Sequence, residues 1–316
     1  MRIVNGFLFD CVSQCPTLAA SQRERIPAST SEGAYDLGME SIEKAVSLIA
    51  RMIPAILCVA LLASCGNTES NQTVVITVEQ RNAAIESVME LLQGNQTIEA
   101  LAISSTLIKR DPSSAESQET HALALIAEGW RLDSVGDSVR AIEKRTQALE
   151  AYILACSHSS SPDLLQLSTA QLAQMIGEVD TASRYYKLAH DAVPDDPRAS
   201  FFLAQIALLD KNWLEAKEWI TASLQREPHE PFALLSLALV EAELGNTQLG
   251  VKLAAEGCDL LPNEPNLRFI QARVLRLAGK LTQAMEILIA LPVQIRNTQM
   301  CQDEIDAILA QSNGTQ

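Results

Sequence analysis

Prolines recur along the second half of this chain at a fixed interval of 34 residues. They stand at Pro194, Pro228 and Pro262, and again at Pro197, Pro231 and Pro265. A sequence period of roughly 20 to 50 residues indicates stacked supersecondary units, each burying its apolar face against its neighbours. The interval therefore predicts an extended array of repeats, in which each unit contacts mainly the units next to it.

Four blocks follow from this interval: 163–196, 197–230, 231–264 and 265–298. The positions in each block are numbered here as places 1 to 34. Place 8 is always alanine, place 15 is glycine in three blocks and Lys211 in the other, and place 20 is always small. The residues at places 8 and 20 are Ala170, Ala204, Ala238 and Ala272, then Ala182, Ala216, Gly250 and Ala284. Small residues suit two antiparallel helices that cross closely, and glycine suits a turn with positive φ.

This pattern resembles the tetratricopeptide repeat (TPR), which has a small residue at place 8, glycine near 15, alanine at 20 and proline at 32. The resemblance implies an all-α fold, a right-handed solenoid of antiparallel helix pairs. The aromatic residue usual at place 4 is missing, and Gly250 and Gly257 are expected to weaken the second helix of the third block. The TPR proteins that grip a terminal carboxylate carry Lys at place 5 and Asn at place 9. Leu167 and Gln171 exclude that subfamily here.

Weaker helical patterns flank the four blocks. Residues 78–162 resemble degenerate repeats, with a longer helix pair between Ala115 and Ser157. Residues 299–316 are expected to form a capping helix and tail. This C-terminal helix is predicted to cover the last repeat with Ile305, Ile308 and Leu309.

An uncharged apolar run of twelve residues, from Ile53 to Ser64, precedes Cys65. It is too short to span a bilayer but long enough for the core of a signal peptide. Leu62-Ala63-Ser64-Cys65 resembles the lipobox of bacterial lipoproteins, which implies a lipid on Cys65. Residues 39–64 are then the signal peptide and 65–77 a polar, lipidated tether. The alternative is a buried apolar helix, or a reversed anchor, that ends in Ala-Ser-Cys.

A signal peptide should begin a chain, whereas some fifty residues precede this apolar run. Residues 1–38 are therefore expected to be an over-called start or disordered. The initiator would be Met39, Met52 or a codon between them.

Composition and motifs argue against several classes of function. A formal net charge of -15 without any basic run argues against nucleic-acid binding. The sequence contains no nucleophile elbow, phosphate-binding loop or metal-ligand spacing, so we expect no enzyme activity, cofactor, metal or small-molecule substrate. The four histidines are interpreted as surface or helix-end residues. Cys156 and Cys258 are interpreted as small buried hydrophobes.

The TPR resemblance implies a concave groove lined by first helices, where places 2, 5, 9 and 12 face inward. The predicted partner-binding residues are Arg198, Phe201, Gln205, Phe232, Leu235, Phe269, Arg273 and Arg276. Such a groove suits a protein segment with hydrophobic anchors and some acidic character. The alternative for the three phenylalanines is packing between repeats.

The predicted function is a membrane-tethered scaffold of the bacterial cell envelope that binds a protein or peptide partner. An accessory module of an envelope enzyme, for polysaccharide or peptidoglycan synthesis or export, is the alternative. Gly66 stands where inner-membrane retention commonly uses Asp, so the periplasmic face of the outer membrane is the expected location.

Overall fold

A computed structural model describes residues 76–314 of the chain, which form fourteen helices and no strand. The predicted signal peptide, Cys65 and the start of the tether lie outside these described residues. The helices are α1 (Val78–Gln93), α2 (Thr97–Arg110), α3 (Ala115–Ser134), α4 (Ser138–His158), α5 (Asp163–Ile176), α6 (Val179–Ala192), α7 (Pro197–Leu209), α8 (Trp213–Arg226), α9 (Pro231–Glu243), α10 (Thr247–Leu260), α11 (Pro265–Leu277), α12 (Leu281–Ala290), α13 (Val293–Arg296) and α14 (Gln299–Gly314). The all-helical fold class predicted from the sequence is confirmed.

Contacts divide the described residues into an N-terminal unit, 76–182, and a C-terminal unit, 183–314. In the N-terminal unit, α1 to α4 pack in sequence around a core of small and aliphatic side chains. In the C-terminal unit, α7 pairs with α8, α9 with α10 and α11 with α12. Each of these three pairs contributes to its own cluster of buried residues.

The first helix of each C-terminal pair starts at a proline that follows a carboxylate. Asp196, Glu230 and Glu264 each accept a backbone N–H of the first turn through their side chain. Proline at the first helical position costs nothing, because its missing N–H would have no partner there. The 34-residue spacing of these prolines therefore sets where three first helices begin.

The places occupied by small residues are the points of closest approach. The four place-8 alanines are fully buried. Gly250 approaches the α9 backbone so closely that a Cβ there would lie 2.7 Å from the Ala238 carbonyl oxygen. Place 15 takes positive φ in all four blocks, including φ 55° at Lys211, as the turn between helices requires.

The last helix, α14, begins 34 residues after α11 and so occupies the position of a fifth first helix. Cys301 and Ile308 are buried against α11 and α12, whereas Leu309 is 48% exposed. The prediction that Leu309 covers the last repeat is wrong, because Leu309 stands at place 11 and Cys301 turns inward instead. Place 8 of this helix is Asp306, which is exposed.

Candidate functional site

The eight predicted partner-binding residues all lie on the first helices α7, α9 and α11 of the C-terminal unit. They differ in how much of each side chain reaches solvent. Phe201, Phe232 and the three arginines are half-buried, whereas Gln205, Leu235 and Phe269 are buried. Only the half-buried residues of the predicted set are therefore accessible to a partner.

Two residues of the predicted groove belong to the core. Leu235 has no exposed surface and packs with Ala238, Ala254 and Cys258 of its own helix pair. A Cβ at Gly257 would lie 2.1 Å from Leu235 Cδ2, so the missing side chain at 257 makes room for Leu235.

Phe269 is 4% exposed and packs against the core cluster of α11, α12 and α14. For this residue the structure favours packing between helices, which was the alternative interpretation. A large side chain at place 5 reaches the neighbouring helices, and burying an aromatic ring there stabilises the pair.

Each of the three predicted arginines is paired with a carboxylate of the same chain. Arg198 Nε lies 2.9 Å from Asp196 Oδ1, at the start of its own helix. Arg273 Nη2 lies 3.1 Å from Glu243 Oε1.

Arg276 donates to Glu304 of α14, whose side chain is also largely buried. All three positive charges are thus balanced within the molecule. The face they occupy has little spare charge with which to select an acidic partner.

Gln205 lies between the two half-buried phenylalanines in sequence and is only 8% exposed. Its Nε2 donates to Ser236 Oγ on α9 at 3.3 Å, which joins two successive first helices. The Gln205 Oε1 atom is buried and accepts no hydrogen bond from the described residues. Gln205 therefore connects α7 to α9 and exposes little surface to a partner.

Phe201 and Phe232 carry the accessible aromatic surface. Phe201 meets Phe202 edge to face at 5.7 Å, and Phe202 stacks on buried Tyr186 at 5.1 Å. This aromatic row holds the Phe201 ring in place from behind. Phe232 packs partly against the next core cluster, that of α9 and α10.

Leu208 and Leu239 extend this surface and were omitted from the predicted set. They occupy inward places 12 and 9 of their blocks and are half-buried. The inward-place rule alone, without a preference for aromatic and charged residues, would have found them. We call Phe201, Leu208, Phe232 and Leu239 the apolar first-helix face.

The cysteines of the described residues lie in different surroundings, and no metal-binding cluster accompanies them. Among residues 76–314, no three side chains of the metal-binding types come together. Burial raises the pKa of the Cys258 thiol to about 11, which keeps it protonated, and Cys258 and Cys301 are buried free thiols. Cys156 is only half-buried, and its Sγ lies 3.3 Å from Thr169 Oγ1.

His121 departs from the surface position predicted for the histidines. It lies within α3, half-buried, with Nδ1 3.0 Å from Ser104 Oγ. Burial, and then the nearby charge of Lys144, lower its pKa to about 4. The imidazole is therefore neutral at neutral pH, and Ser104 beside it is fully buried.

Helix α8 carries two tryptophans, one at its start and one in its middle. Trp213 and Trp219 are half-buried against the core of their helix pair. The edge of Trp219 meets the His190 ring at 5.3 Å, and Trp219 Nε1 donates to Glu215 Oε1 at 3.4 Å.

Comparison with solved structures identifies TPR proteins. PilF of Pseudomonas aeruginosa aligns with a TM-score of 0.53 and 17% identity, over 73% of this chain and 97% of that one. A tetratricopeptide repeat protein of Parabacteroides merdae aligns at 0.54 and 16%, over 74% and 92%. The Cut9–Hcn1 assembly of the APC/C aligns at 0.50 and 15%, over 82% of this chain and 47% of that one.

No protein-family model matches the sequence, and no curated protein matches it either. Within the described residues, no helix is both long and apolar enough to cross a membrane. At identities of 15 to 17%, the structural likeness concerns the fold alone. The chain folds as a solenoid of antiparallel helix pairs of the tetratricopeptide type.

Proposed function

We propose that this protein is a non-enzymatic scaffold that binds a partner protein segment along the apolar first-helix face. The observation that carries the proposal is the pair Phe201 and Phe232. They lie on successive first helices, and each residue is half-buried and packs against a core cluster. Aromatic side chains held in this way typically supply most of the binding energy of an interface.

The ion pairs around the face define the chemistry of the partner. Because Arg198, Arg273 and Arg276 already pair with carboxylates, a partner carboxylate would have to displace one of them. An apolar side chain needs no such exchange, and fully burying one aromatic ring contributes about 1.5–3 kcal/mol. The partner is therefore a segment with apolar anchors spaced to meet two successive helices, and acidic residues are not required.

A co-purification experiment tests this proposal. Phe201→Ser combined with Phe232→Ser should remove the main partner recovered from solubilised cell envelope. Leu214→Ser is the matched control, since Leu214 is 67% exposed on the second helix α8, away from the face. Far-UV circular dichroism should be the same for both variants.

Retention of the partner by the double variant, with unchanged affinity, would move the binding surface elsewhere. Mass spectrometry of the captured protein also separates the two envelope roles. A synthase or exporter of polysaccharide or peptidoglycan would identify an accessory module, and a non-enzymatic component would identify a scaffold.

We further propose that Cys65 carries a lipid and holds the protein on the periplasmic face of the outer membrane. The lipobox Leu62-Ala63-Ser64-Cys65 and the polar residues after it support this assignment. Ten residues separate Cys65 from Ile76, the first described residue. Fully extended, such a tether spans about 35 Å, which leaves the repeats free of the bilayer surface.

Intact mass spectrometry tests the anchor. The membrane-extracted protein should begin at Cys65 and carry acyl mass, and Cys65→Ala should lose that mass and the membrane association. A soluble wild-type chain that still carries Met1 would contradict the anchor. Fractionation of inner and outer membranes tests the location separately.

A further inference from the structure

One helix pair of the N-terminal unit is longer than its neighbours. Helices α3 and α4 contain 20 and 21 residues, whereas α2 and α5 contain 14 each. From Ala115 to Pro162 the pair occupies 48 residues, which is 14 more than the 34-residue repeat. Relative to these neighbours, α3 has six additional residues and α4 has seven, which is just under two turns each, or about 10 Å of length.

The additional turns lie at the end where α3 meets α4. Ala122 is the eighth residue of the pair and is fully buried, as alanine is at place 8 elsewhere. Ala148 and Ala155 of α4 are fully buried too, 34 residues before Ala182 and Ala189. Both outer ends of the pair thus keep the repeat register, and the additional residues are 129–142.

A hydrogen bond shows that this end of the pair extends beyond the start of α2. Thr97, the first residue of α2, donates from Oγ1 to Glu128 Oε2 at 2.7 Å. The start of α2 is therefore level with Glu128, and α3 continues for six more residues, to Ser134. We call residues 129–142 the hairpin tip.

Apolar side chains cover one side of the hairpin tip. Trp130 is 54% exposed, Val135 66%, Val139 81% and Ile142 54%. Val139 and Ile142 are three residues apart on α4 and so share a face, which Arg145 continues. The Arg145 guanidinium lies 4.5 Å from the centre of the Trp130 ring, which joins the two helices across this stripe.

The hairpin tip is electrically neutral in a strongly acidic chain. It contains two positive and two negative residues, in a protein of net charge -15. Arg131 pairs with Glu128 at 2.6 Å, and Arg140 pairs with Asp137. Asp133 pairs with Arg145, the same residue that covers Trp130.

We propose that the hairpin tip is a self-association surface that pairs two copies of this chain. Two acidic copies repel each other over most of their surface, and a neutral apolar projection is where they can approach at least cost. A pair of antiparallel helices with one apolar stripe is self-complementary about a twofold axis, and two such pairs make a four-helix contact. An anionic lipid surface would repel the rest of the chain, so a second copy fits the charge pattern better.

The contact is small, and the dimer is correspondingly weak. Four apolar side chains from each copy bury less area than the roughly 1,200 Å² typical of stable complexes. The expected dissociation constant is on the order of 10–100 µM. Raising the salt concentration should strengthen the dimer, because salt screens the repulsion between two acidic chains. This inference does not depend on the apolar first-helix face.

Sedimentation equilibrium of the full chain carrying Cys65→Ala, from about 1 to 200 µM, tests the proposal. Val139→Asp should raise the dissociation constant at least tenfold. Leu164→Asp, at a residue 67% exposed on α5, is the matched control and should leave it unchanged. Circular dichroism must show equal helicity in all three proteins.

Two results would overturn the proposal. One is a parent protein that stays monomeric up to the highest concentration, and the other is a dimer that Val139→Asp and Trp130→Ser both leave intact. Binding to vesicles of neutral phosphatidylcholine is measured as a separate test. Binding of a monomeric parent to them, lost in Val139→Asp, would identify a lipid surface as the occupant instead of a second copy.

Discussion

Replacing Gly250 by alanine has two opposing effects on the free energy of unfolding. Gly250 lies inside α10, where alanine is a better helix former by about 1 kcal/mol. Seen from the sequence alone, the substitution should therefore stabilise the protein. The structure predicts the opposite result.

The reason is the distance between α9 and α10. A Cβ at position 250 would lie 2.7 Å from the Ala238 carbonyl oxygen and 3.2 Å from the Ala242 Cβ. A carbonyl in the middle of a helix cannot swing aside, so the two helices must separate by several tenths of an ångström. Overpacking of this kind costs about 1–3 kcal/mol, and a backbone contact belongs at the upper end of that range. After subtraction of the helix-propensity gain, the expected net loss in free energy of unfolding is about 2 kcal/mol.

Urea unfolding, followed by circular dichroism and by tryptophan fluorescence, measures this loss. Trp213 and Trp219 pack in the cluster that includes Val240 of α9, so their emission reports on this part of the C-terminal unit. The two signals are compared because a repeat array need not unfold in a single step.

Gly94→Ala is the matched control. Gly94 has φ -80°, and a Cβ there meets nothing closer than 3.4 Å, so this substitution should stabilise by about 0.4–1 kcal/mol. If Gly250→Ala stabilises the protein as much as Gly94→Ala does, the close crossing of α9 and α10 is refuted.

Three further predictions use the same unfolding assay. Ala238→Leu should overpack a place-8 crossing and cost about 1–3 kcal/mol, and an unchanged melt would refute the assigned register. Lys211→Gly should stabilise by about 0.5–1 kcal/mol, because Lys211 holds φ 55°, and a loss of stability would show that its side chain matters more. His121 has a folded pKa of about 4, below its unfolded value of 6.5, so its contribution is complete above pH 6.5 and is lost as pH falls towards 4. Solvent screening of this half-buried group limits the loss to about 1–2 kcal/mol, and His121→Gln should flatten the pH dependence; an equal slope in the variant would assign the effect to other groups.

The fold class was predictable because a few positions determine it. Alanine at place 8 and the residue with positive φ at place 15 are local requirements, and a 34-residue interval displays them repeatedly. Lys211 shows the strength of this pattern, since it adopts the glycine conformation required by its place.

The candidate site was less predictable, because burial depends on neighbours that periodicity does not reveal. Leu235 is buried because Gly257, on another helix, leaves space for it. The carboxylates that neutralise Arg273 and Arg276 lie 30 and 28 residues away in sequence, on adjacent helices. Only the folded structure shows that these two arginines are already paired with carboxylates of the same chain.

The residue at place 8 distinguishes α14 from the first helices of the four blocks. This helix starts where a fifth repeat would start, but its place 8 holds exposed Asp306 where the four preceding blocks have a fully buried alanine. A charged side chain at that place disfavours the close helix crossing that alanine permits in the four blocks, so α14 is less suited than α5, α7, α9 and α11 to pair with a second helix.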